Sequence, residues 1–152
     1  MRVTVLYGTE SGNAELIAQD LAEALAPGHE AEAIDLQDFD PARLDPEGFF
    51  LLVCSTHGEG ELPNTARPFF ERLKGFRGDL SGVRYAVFGL GDSFYEETYS
   101  RGSEILDERL RELGAVRVGE YGRHDASSWE LPSDLALAWL PGVLAAAGLD
   151  GA

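Results

Sequence analysis

The run Phe49-Phe50-Leu51-Leu52-Val53-Cys54 constrains the fold of this chain more than any other stretch. Six consecutive apolar residues are typical of a β-strand that is covered on both faces, because a strand with one wet face alternates apolar and polar side chains. Strands of this kind occur in parallel sheets that carry helices on both sides. The run therefore predicts a central strand of a doubly wound α/β domain.

The remaining apolar patterns alternate between strand-like and helix-like segments. Short apolar runs predict further strands at residues 3–6, 31–36, 85–88 and 116–121. Helical spacing of apolar residues predicts helices at 13–25, about 65–74, around 105–113 and about 133–147, the last of them interrupted by Pro141 and Gly142. The segment 35–48 reads as irregular connection. The alternation implies a parallel sheet, and we expect residues 1–152 to form a single domain.

Charge and cysteine content limit the classes of partner and compartment. The chain has a formal net charge of −15 at pH 7, so we expect no nucleic acid partner and favour a basic protein surface. Its one cysteine, Cys54, excludes an intramolecular disulfide and suits a reducing, cytoplasmic location. At the end of an apolar strand this thiol is expected to be buried and structural. No apolar run reaches the ~18 residues of a membrane span, and no leader pattern is seen, so we expect no membrane association.

A polar loop, Thr9-Glu10-Ser11-Gly12-Asn13-Ala14, connects the first strand to the first helix. Backbone N–H groups at a helix start lack partners and attract anions, while Gly8 and Gly12 let the backbone curl around a ligand. The loop contains no Lys or Arg, whereas loops that bind nucleoside triphosphates end in Gly-Lys-Ser/Thr. It therefore suits a single phosphate monoester. The alternative is an ordinary helix cap formed by Ser11 or Asn13.

Two further Gly-rich loops follow the third and fourth predicted strands, at residues 55–64 and 89–96. The first carries His57 and the second carries Tyr95. Because the carboxyl ends of parallel strands meet at one edge of a sheet, these loops are expected to lie beside the opening loop. Aromatic side chains next to a phosphate loop indicate a flat heteroaromatic ligand on a phosphate tail.

The three loops, in this order, resemble the motifs of the short-chain flavodoxins, and the resemblance covers essentially the whole chain. Residues 9–14 resemble the family's phosphate loop, residues 55–58 its first flavin-flanking loop and residues 91–96 its second. The resemblance implies FMN as cofactor, a five-stranded parallel sheet of order 2-1-3-4-5 with helices on both faces, and Tyr95 against the isoalloxazine ring. It implies cofactor contacts at Thr9, Glu10, Ser11, Gly12, Asn13, Ala14, Ser55, Thr56, His57, Gly58, Glu59, Gly60, Gly89, Leu90, Gly91, Asp92, Tyr95 and Tyr99.

Within this family two subtypes are similar to the chain. Ser-Thr-His-Gly at 55–58 and Leu-Pro-Ser-Asp at 131–134 look most like the MioC-type flavodoxins, while Gly-Glu-Gly-Glu at 58–61 also resembles the FMN domains of diflavin reductases. The resemblance implies a monomeric electron carrier that needs no catalytic side chain and no metal. Its donor would be an NADPH-dependent flavodoxin/ferredoxin reductase. Its acceptor would be a redox enzyme, with biotin synthase as one candidate.

Several alternatives are left open by the residues. The chain could be the FMN domain of a split diflavin reductase, or a self-contained NAD(P)H–quinone reductase that oxidises NADPH unaided. An assembly module that lost FMN would purify colourless. A phospho-receiver domain shares the sheet order but needs an acidic acceptor after the third strand, where this chain has Cys54-Ser55.

Some side chains in and around the loops also have two readings. His57 either contacts the flavin ring or is an ordinary solvated histidine. The loop carboxylates are either ordinary solvated surface, or they oppose a negative charge on the reduced flavin and attract a basic partner. These carboxylates are Glu59, Glu61, Asp92, Glu96 and Glu97. Trp139 is expected to pack in the core, and His29 and His124 are assigned no role.

Overall fold

A parallel sheet organises the computed structural model, which describes residues 2–9, 12–56, 62–91, 101–125 and 131–149. The strands are β1 (Arg2–Gly8), β2 (Glu30–Asp35), β3 (Phe49–Cys54), β4 (Arg84–Gly91), β5 (Val116–Arg117) and β6 (Gly122–Asp125). The helices are α1 (Asn13–Leu25), α2 (Arg67–Lys74), α3 (Arg101–Glu112) and α4 (Pro132–Ala147). The strand order β2-β1-β3-β4-β5, with β6 also paired to β4, confirms the predicted class and order.

The central strand β3 separates two hydrophobic cores. Phe49, Leu51 and Val53 pack with α1 and α4, whereas Phe50 and Leu52 pack with α2 and α3. All six residues of β3 are buried, as the continuous apolar run predicts. Successive side chains of a strand point to opposite faces, so one apolar run anchors helices on both sides of the sheet.

Several boundaries differ by a few residues from the prediction. β1 and β4 run on to Gly8 and Gly91, because the glycines that follow the apolar runs still take part in the ladder. The second predicted helix begins with a 3₁₀ turn, Asn64–Ala66, before α2. The irregular connection before β3 contains two further 3₁₀ turns, Leu36–Asp38 and Pro41–Arg43.

The fifth position of the sheet holds two short strands, where the sequence predicts one strand at 116–121. The Val118 N–H still donates 2.7 Å to the Tyr85 carbonyl, but Gly119 then adopts φ +80° and turns the chain away from β4. β6 rejoins β4 where Gly122 pairs with Phe88. A Cβ at Gly122 would lie 2.5 Å from the Phe88 ring, so only glycine fits at this point of return.

Helix α4 is continuous through Pro141, so the predicted interruption at Pro141-Gly142 is wrong. Proline removes one helical hydrogen bond and crowds the preceding turn. Pro141 and Gly142 lie on the exposed side of α4, where water can satisfy the released carbonyl group. The buried face holds the helix on the sheet through Leu140 and Val143. Trp139 packs on Phe88 at a ring distance of 5.4 Å, as expected, and its indole N–H donates 2.7 Å to the Glu120 carbonyl.

No helix among the described residues is long and apolar enough to cross a membrane.

Candidate functional site

Three strand ends meet at one edge of the sheet. Gly8 pairs with Cys54, and Cys54 pairs with Gly89. The Ser55 N–H donates 3.1 Å to the Gly8 carbonyl and extends this ladder by one residue. The predicted phosphate loop and the starts of the two predicted flanking loops are therefore side by side.

The start of α1 presents free backbone donors to this edge. Gly12 adopts φ +96°, which favours glycine, and its N–H donates 2.7 Å to the Thr9 hydroxyl oxygen. The first helical hydrogen bond runs from the Leu16 N–H to the Gly12 carbonyl, 3.2 Å away. Within the described part of the chain, the N–H groups of Asn13, Ala14 and Glu15 meet no acceptor. Such a set of N–H groups with a positive helix end is suited to an anion.

Two small residues of this loop act differently from the expectation. Gly8 lies within β1, and a Cβ there would approach the Ala66 Cβ to 2.8 Å, so close packing rather than curling of the backbone requires glycine. The Ala14 side chain is buried in the core between the sheet and α1. Only its backbone N–H can therefore face a ligand.

The first flanking loop is tied to its neighbours at both ends. At its start, the half-buried Thr56 accepts a 2.9 Å hydrogen bond at Oγ1 from the Gly102 N–H in the first turn of α3. At its end, Thr65 exchanges two hydrogen bonds with Thr9. The Thr9 N–H donates 2.8 Å to Thr65 Oγ1, and the Thr65 N–H donates 3.2 Å to the Thr9 carbonyl. The sequence prediction missed Thr65, since a threonine at a helix start is typical of an ordinary cap.

The second flanking loop leaves the sheet beside β6. Leu90 is only 7% exposed and packs in the core, so Gly89 and Leu90 face the site with backbone groups alone. His124 pairs with Leu90 and Asp125 with Gly91, which places β6 next to this loop. His124 is buried, although its sequence position offered no sign of this.

The buried thiol of Cys54 matches the prediction. Cys54 is 0% exposed, and burial raises the pKa of its thiol far above the ordinary value. Half of the predicted contact residues lie outside the described residues: Glu10, Ser11, His57, Gly58, Glu59, Gly60, Asp92, Tyr95 and Tyr99.

Charge is distributed unequally between the two faces of the sheet. The sequences of α1 and α4 contain no Lys or Arg and carry Glu15, Asp20, Glu23 and Asp134. The cations are concentrated on and around the other two helices and at β5 and β6, for example Arg72, Lys74, Arg101, Arg109, Arg117 and Arg123. Backbone dipoles rather than side-chain cations therefore supply the attraction for an anion at the start of α1. This arrangement fits the single phosphate group of FMN.

The family model for flavodoxin matches residues 5–139 of the chain. Protein MioC of Escherichia coli K12 is 33% identical over 142 residues, which are 91% of this chain and 92% of that protein. The sulfite reductase flavoprotein alpha-component of Thiocapsa roseopersicina is 43% identical over 120 residues, which are 77% of this chain. The chain spans only 23% of the length of that relative.

Solved structures show the same relationship. A cysteine-to-alanine mutant of flavodoxin from Pseudomonas aeruginosa superposes with a TM-score of 0.83 and 34% sequence identity, and the match covers 99% of this chain and 100% of that one. Oxidised flavodoxin 1 from Bacillus cereus superposes with a TM-score of 0.74 and 28% identity over 91% of this chain and 93% of that one. From its fold and these matches, the chain belongs to the flavodoxin family of FMN-binding electron-transfer proteins.

Proposed function

We propose that the chain binds one FMN at this edge of the sheet and carries electrons from an NADPH-dependent flavin reductase to an acceptor enzyme. The observation that carries the proposal is the start of α1, where the N–H groups of Asn13, Ala14 and Glu15 meet no acceptor among the described residues, and the preceding loop contains no Lys or Arg. FMN supplies the redox chemistry when it is bound. The protein's part is to bind, orient and shield it.

Different residues around the site would contact the phosphate group and the ring of FMN. The helix start and Thr9 would hold the phosphate group, and the Gly12 conformation would orient the N–H groups for it. The loops that carry His57 and Tyr95 would flank the ring of the bound cofactor, and backbone groups near Ser55 and Gly89 would serve its polar edge. The buried Cys54 thiol takes no part in electron transfer, because burial keeps it protonated.

The proposed partners follow from charge and from the relatives. The net charge of −15 and the absence of Lys and Arg from the sequences of α1 and α4 favour a basic partner surface. The names of two relatives, a sulfite reductase (NADPH) flavoprotein component and an NADPH–cytochrome P450 reductase, both include NADPH, which supports an NADPH-dependent reductase as donor. The acceptor is a redox enzyme, with biotin synthase as a candidate for a MioC-like carrier. We place the carrier in the cytoplasm as a monomer with residues 1–152 in one domain.

The test is a titration of the apoprotein with FMN and with riboflavin, followed by fluorescence. We expect one FMN per chain and binding of riboflavin weaker by roughly tenfold or more, because riboflavin lacks the phosphate group. Equal affinities would refute a phosphate site at the start of α1. The isolated holoprotein should not oxidise NADPH with a quinone, and turnover without an added reductase would contradict the role of a carrier.

A second candidate is supported by the 43% identity to the sulfite reductase flavoprotein component. The chain would then serve as the FMN module of a split diflavin reductase and accept electrons from one dedicated partner. Reduction assays with a general flavodoxin reductase distinguish the two. A carrier is reduced readily, whereas a dedicated module is reduced only by its own partner.

A further inference from the structure

We infer that Thr56 and Thr65 are positioning residues that hold opposite ends of one loop for two different parts of the cofactor. Thr56 holds the walls of the ring site, and Thr65 holds the phosphate loop. This inference rests on the proposed FMN site. It is carried by three described contacts, which join residues far apart in the sequence: Thr56 with Gly102, Ser55 with Gly102, and Thr65 with Thr9.

Thr56 connects the two loops that flank the ring. It precedes loop residues 57–61, and its hydroxyl oxygen accepts from the N–H of Gly102, just after residues 92–100. This N–H lies in the first turn of α3 and meets no acceptor among the described residues of that helix. Gly102 is buried, and a Cβ there would collide with the Ser55 carbonyl oxygen and lie 3.0 Å from the Thr56 Cα. The start of one flanking loop and the end of the other are therefore held at a fixed separation.

Thr65 connects the same loop to the phosphate loop instead. Its two hydrogen bonds with Thr9, of 2.8 and 3.2 Å, fix the backbone of Thr9 in both directions. Thr9 is 7% exposed, and its hydroxyl oxygen accepts from the Gly12 N–H at 2.7 Å. Thr65 therefore fixes the position of Thr9, and Thr9 in turn fixes Gly12 and the N–H groups at the start of α1.

The two residues should consequently affect different parts of the ligand. Thr65→Val removes the acceptor for the Thr9 N–H and loosens only the phosphate loop. It should weaken FMN binding roughly three- to tenfold and leave riboflavin binding unchanged. Thr56→Val removes the acceptor for the Gly102 N–H and loosens the two walls of the ring site. It should weaken FMN and riboflavin binding by the same factor, again roughly three- to tenfold, and should shift the midpoint potential of the holoprotein.

The experiment measures FMN and riboflavin affinities of the apoproteins, together with potentials of the holoproteins and denaturant unfolding of the apoproteins. Thr56→Ser and Thr65→Ser keep the hydroxyl groups and should restore wild-type affinities. Thr4→Val is the matched control, because Thr4 is a buried threonine within β1 and lies away from the loops. It should change neither affinity. If a valine variant does not fold, the alanine variant at the same position provides the comparison.

The pattern across the two ligands decides the inference. A selective loss of FMN affinity in Thr65→Val and a parallel loss for both ligands in Thr56→Val support it. Affinities that fall equally in both variants for both ligands, or that follow the unfolding free energy of the apoprotein, overturn it and leave only a structural role. Wild-type protein that binds neither flavin overturns the proposed function as well.

Discussion

The Tyr85 hydroxyl donates a 2.5 Å hydrogen bond to the Asp107 carboxylate, in the core between β4 and α3. The other carboxylate oxygen of Asp107 accepts 2.7 Å from Arg117, whose side chain is 31% exposed. Asp107 is 4% exposed, so its charge depends on these two donors and on Arg111 at 3.6 Å. Together they join the edge of the sheet to the helix that follows the second flanking loop.

Tyr85→Phe should lower the free energy of unfolding at pH 7 by about 1–3 kcal/mol, because one oxygen of a buried carboxylate loses its donor. Burial, followed by the hydrogen bond to Asp107, raises the pKa of Tyr85 in the folded protein. A raised pKa contributes stability that is complete below the ordinary tyrosine pKa of ~10 and is lost as the pH rises above it. Wild-type stability should therefore fall more between about pH 8 and about pH 11 than that of Tyr85→Phe. Urea unfolding at both pH values measures this. Burial also raises the pKa of Tyr7 and of Tyr121, but both are present in the two proteins, so parallel falls would contradict the role of Tyr85.

Gly12→Ala should weaken FMN binding through the backbone. Apart from its chain neighbours, no described residue comes within 4 Å of a Cβ at Gly12, so the cost is that of a side chain at φ +96°, about 1–2 kcal/mol. Gly148 offers a matched control, because it has φ +76° and equally open space at the end of α4. Both alanine variants should lose similar unfolding free energy, whereas only Gly12→Ala should lose FMN affinity in a fluorescence titration. If Gly12→Ala binds FMN as tightly as Gly148→Ala and the wild-type protein, the Gly12 conformation does not orient the N–H groups for the phosphate.

Pro141→Ala should raise the free energy of unfolding by about 1–3 kcal/mol, because alanine restores the hydrogen bond that proline lacks inside α4. Pro132 is the control, since it is the first residue of α4, where a backbone N–H would have no acceptor within the helix in any case. Pro132→Ala should lower stability slightly through the greater freedom of the unfolded chain. Chemical denaturation of the two variants gives the comparison. A loss of stability in Pro141→Ala would mean that α4 is not helical at this position.

Electron transfer from a basic reductase to the chain should slow as salt rises, because exposed charges are screened beyond ~10 Å at 0.1 M. The double change Glu61→Lys and Glu96→Lys should slow it further at low salt. The double change Glu30→Lys and Glu32→Lys alters the net charge equally, at the opposite end of the sheet. Stopped-flow rates in which both double variants behave alike would assign the effect to net charge rather than to the loops.

Cys54 should not react with a thiol reagent in the folded protein, because it is fully buried and burial raises its pKa. As the one cysteine of the chain, it should be labelled only when the sheet opens. Absorbance assays with an aromatic disulfide, at increasing urea, should show labelling that follows the unfolding curve. Fast labelling without urea would place the thiol outside the core.

Local pattern predicted the parts of the fold that local physics decides. The six apolar residues of β3 indicated the centre of the sheet, and the polar loop before Asn13 indicated where α1 begins. Pro141 misled the prediction because the packing of Leu140 and Val143 on the sheet keeps α4 helical in spite of the proline, and periodicity does not contain this packing. The break of the fifth strand at Gly119 likewise depends on packing that periodicity does not contain.

The chemistry proposed for the candidate site comes from residue types, whereas the contacts that support the site could not be predicted from the sequence. Residue types alone indicated an anion at the start of α1. The contacts of Thr65 with Thr9 and of Thr56 with Gly102 join residues 56 and 46 positions apart, and no sequence period connects them. Glycine at 102 likewise gives no signal until the Ser55 carbonyl is seen beside it.

The division of the fifth sheet position into β5 and β6 has a consequence for self-association. An exposed strand edge is a template on which a second molecule can add its own strand. Here the outer edge is formed by the two residues of β5, a turn at Gly119 and the four residues of β6. The other outer strand, β2, begins with the exposed charges of Glu30 and Glu32. Neither edge offers a long uncharged stretch of extended backbone, so we expect the folded apoprotein to resist strand-to-strand aggregation at high concentration.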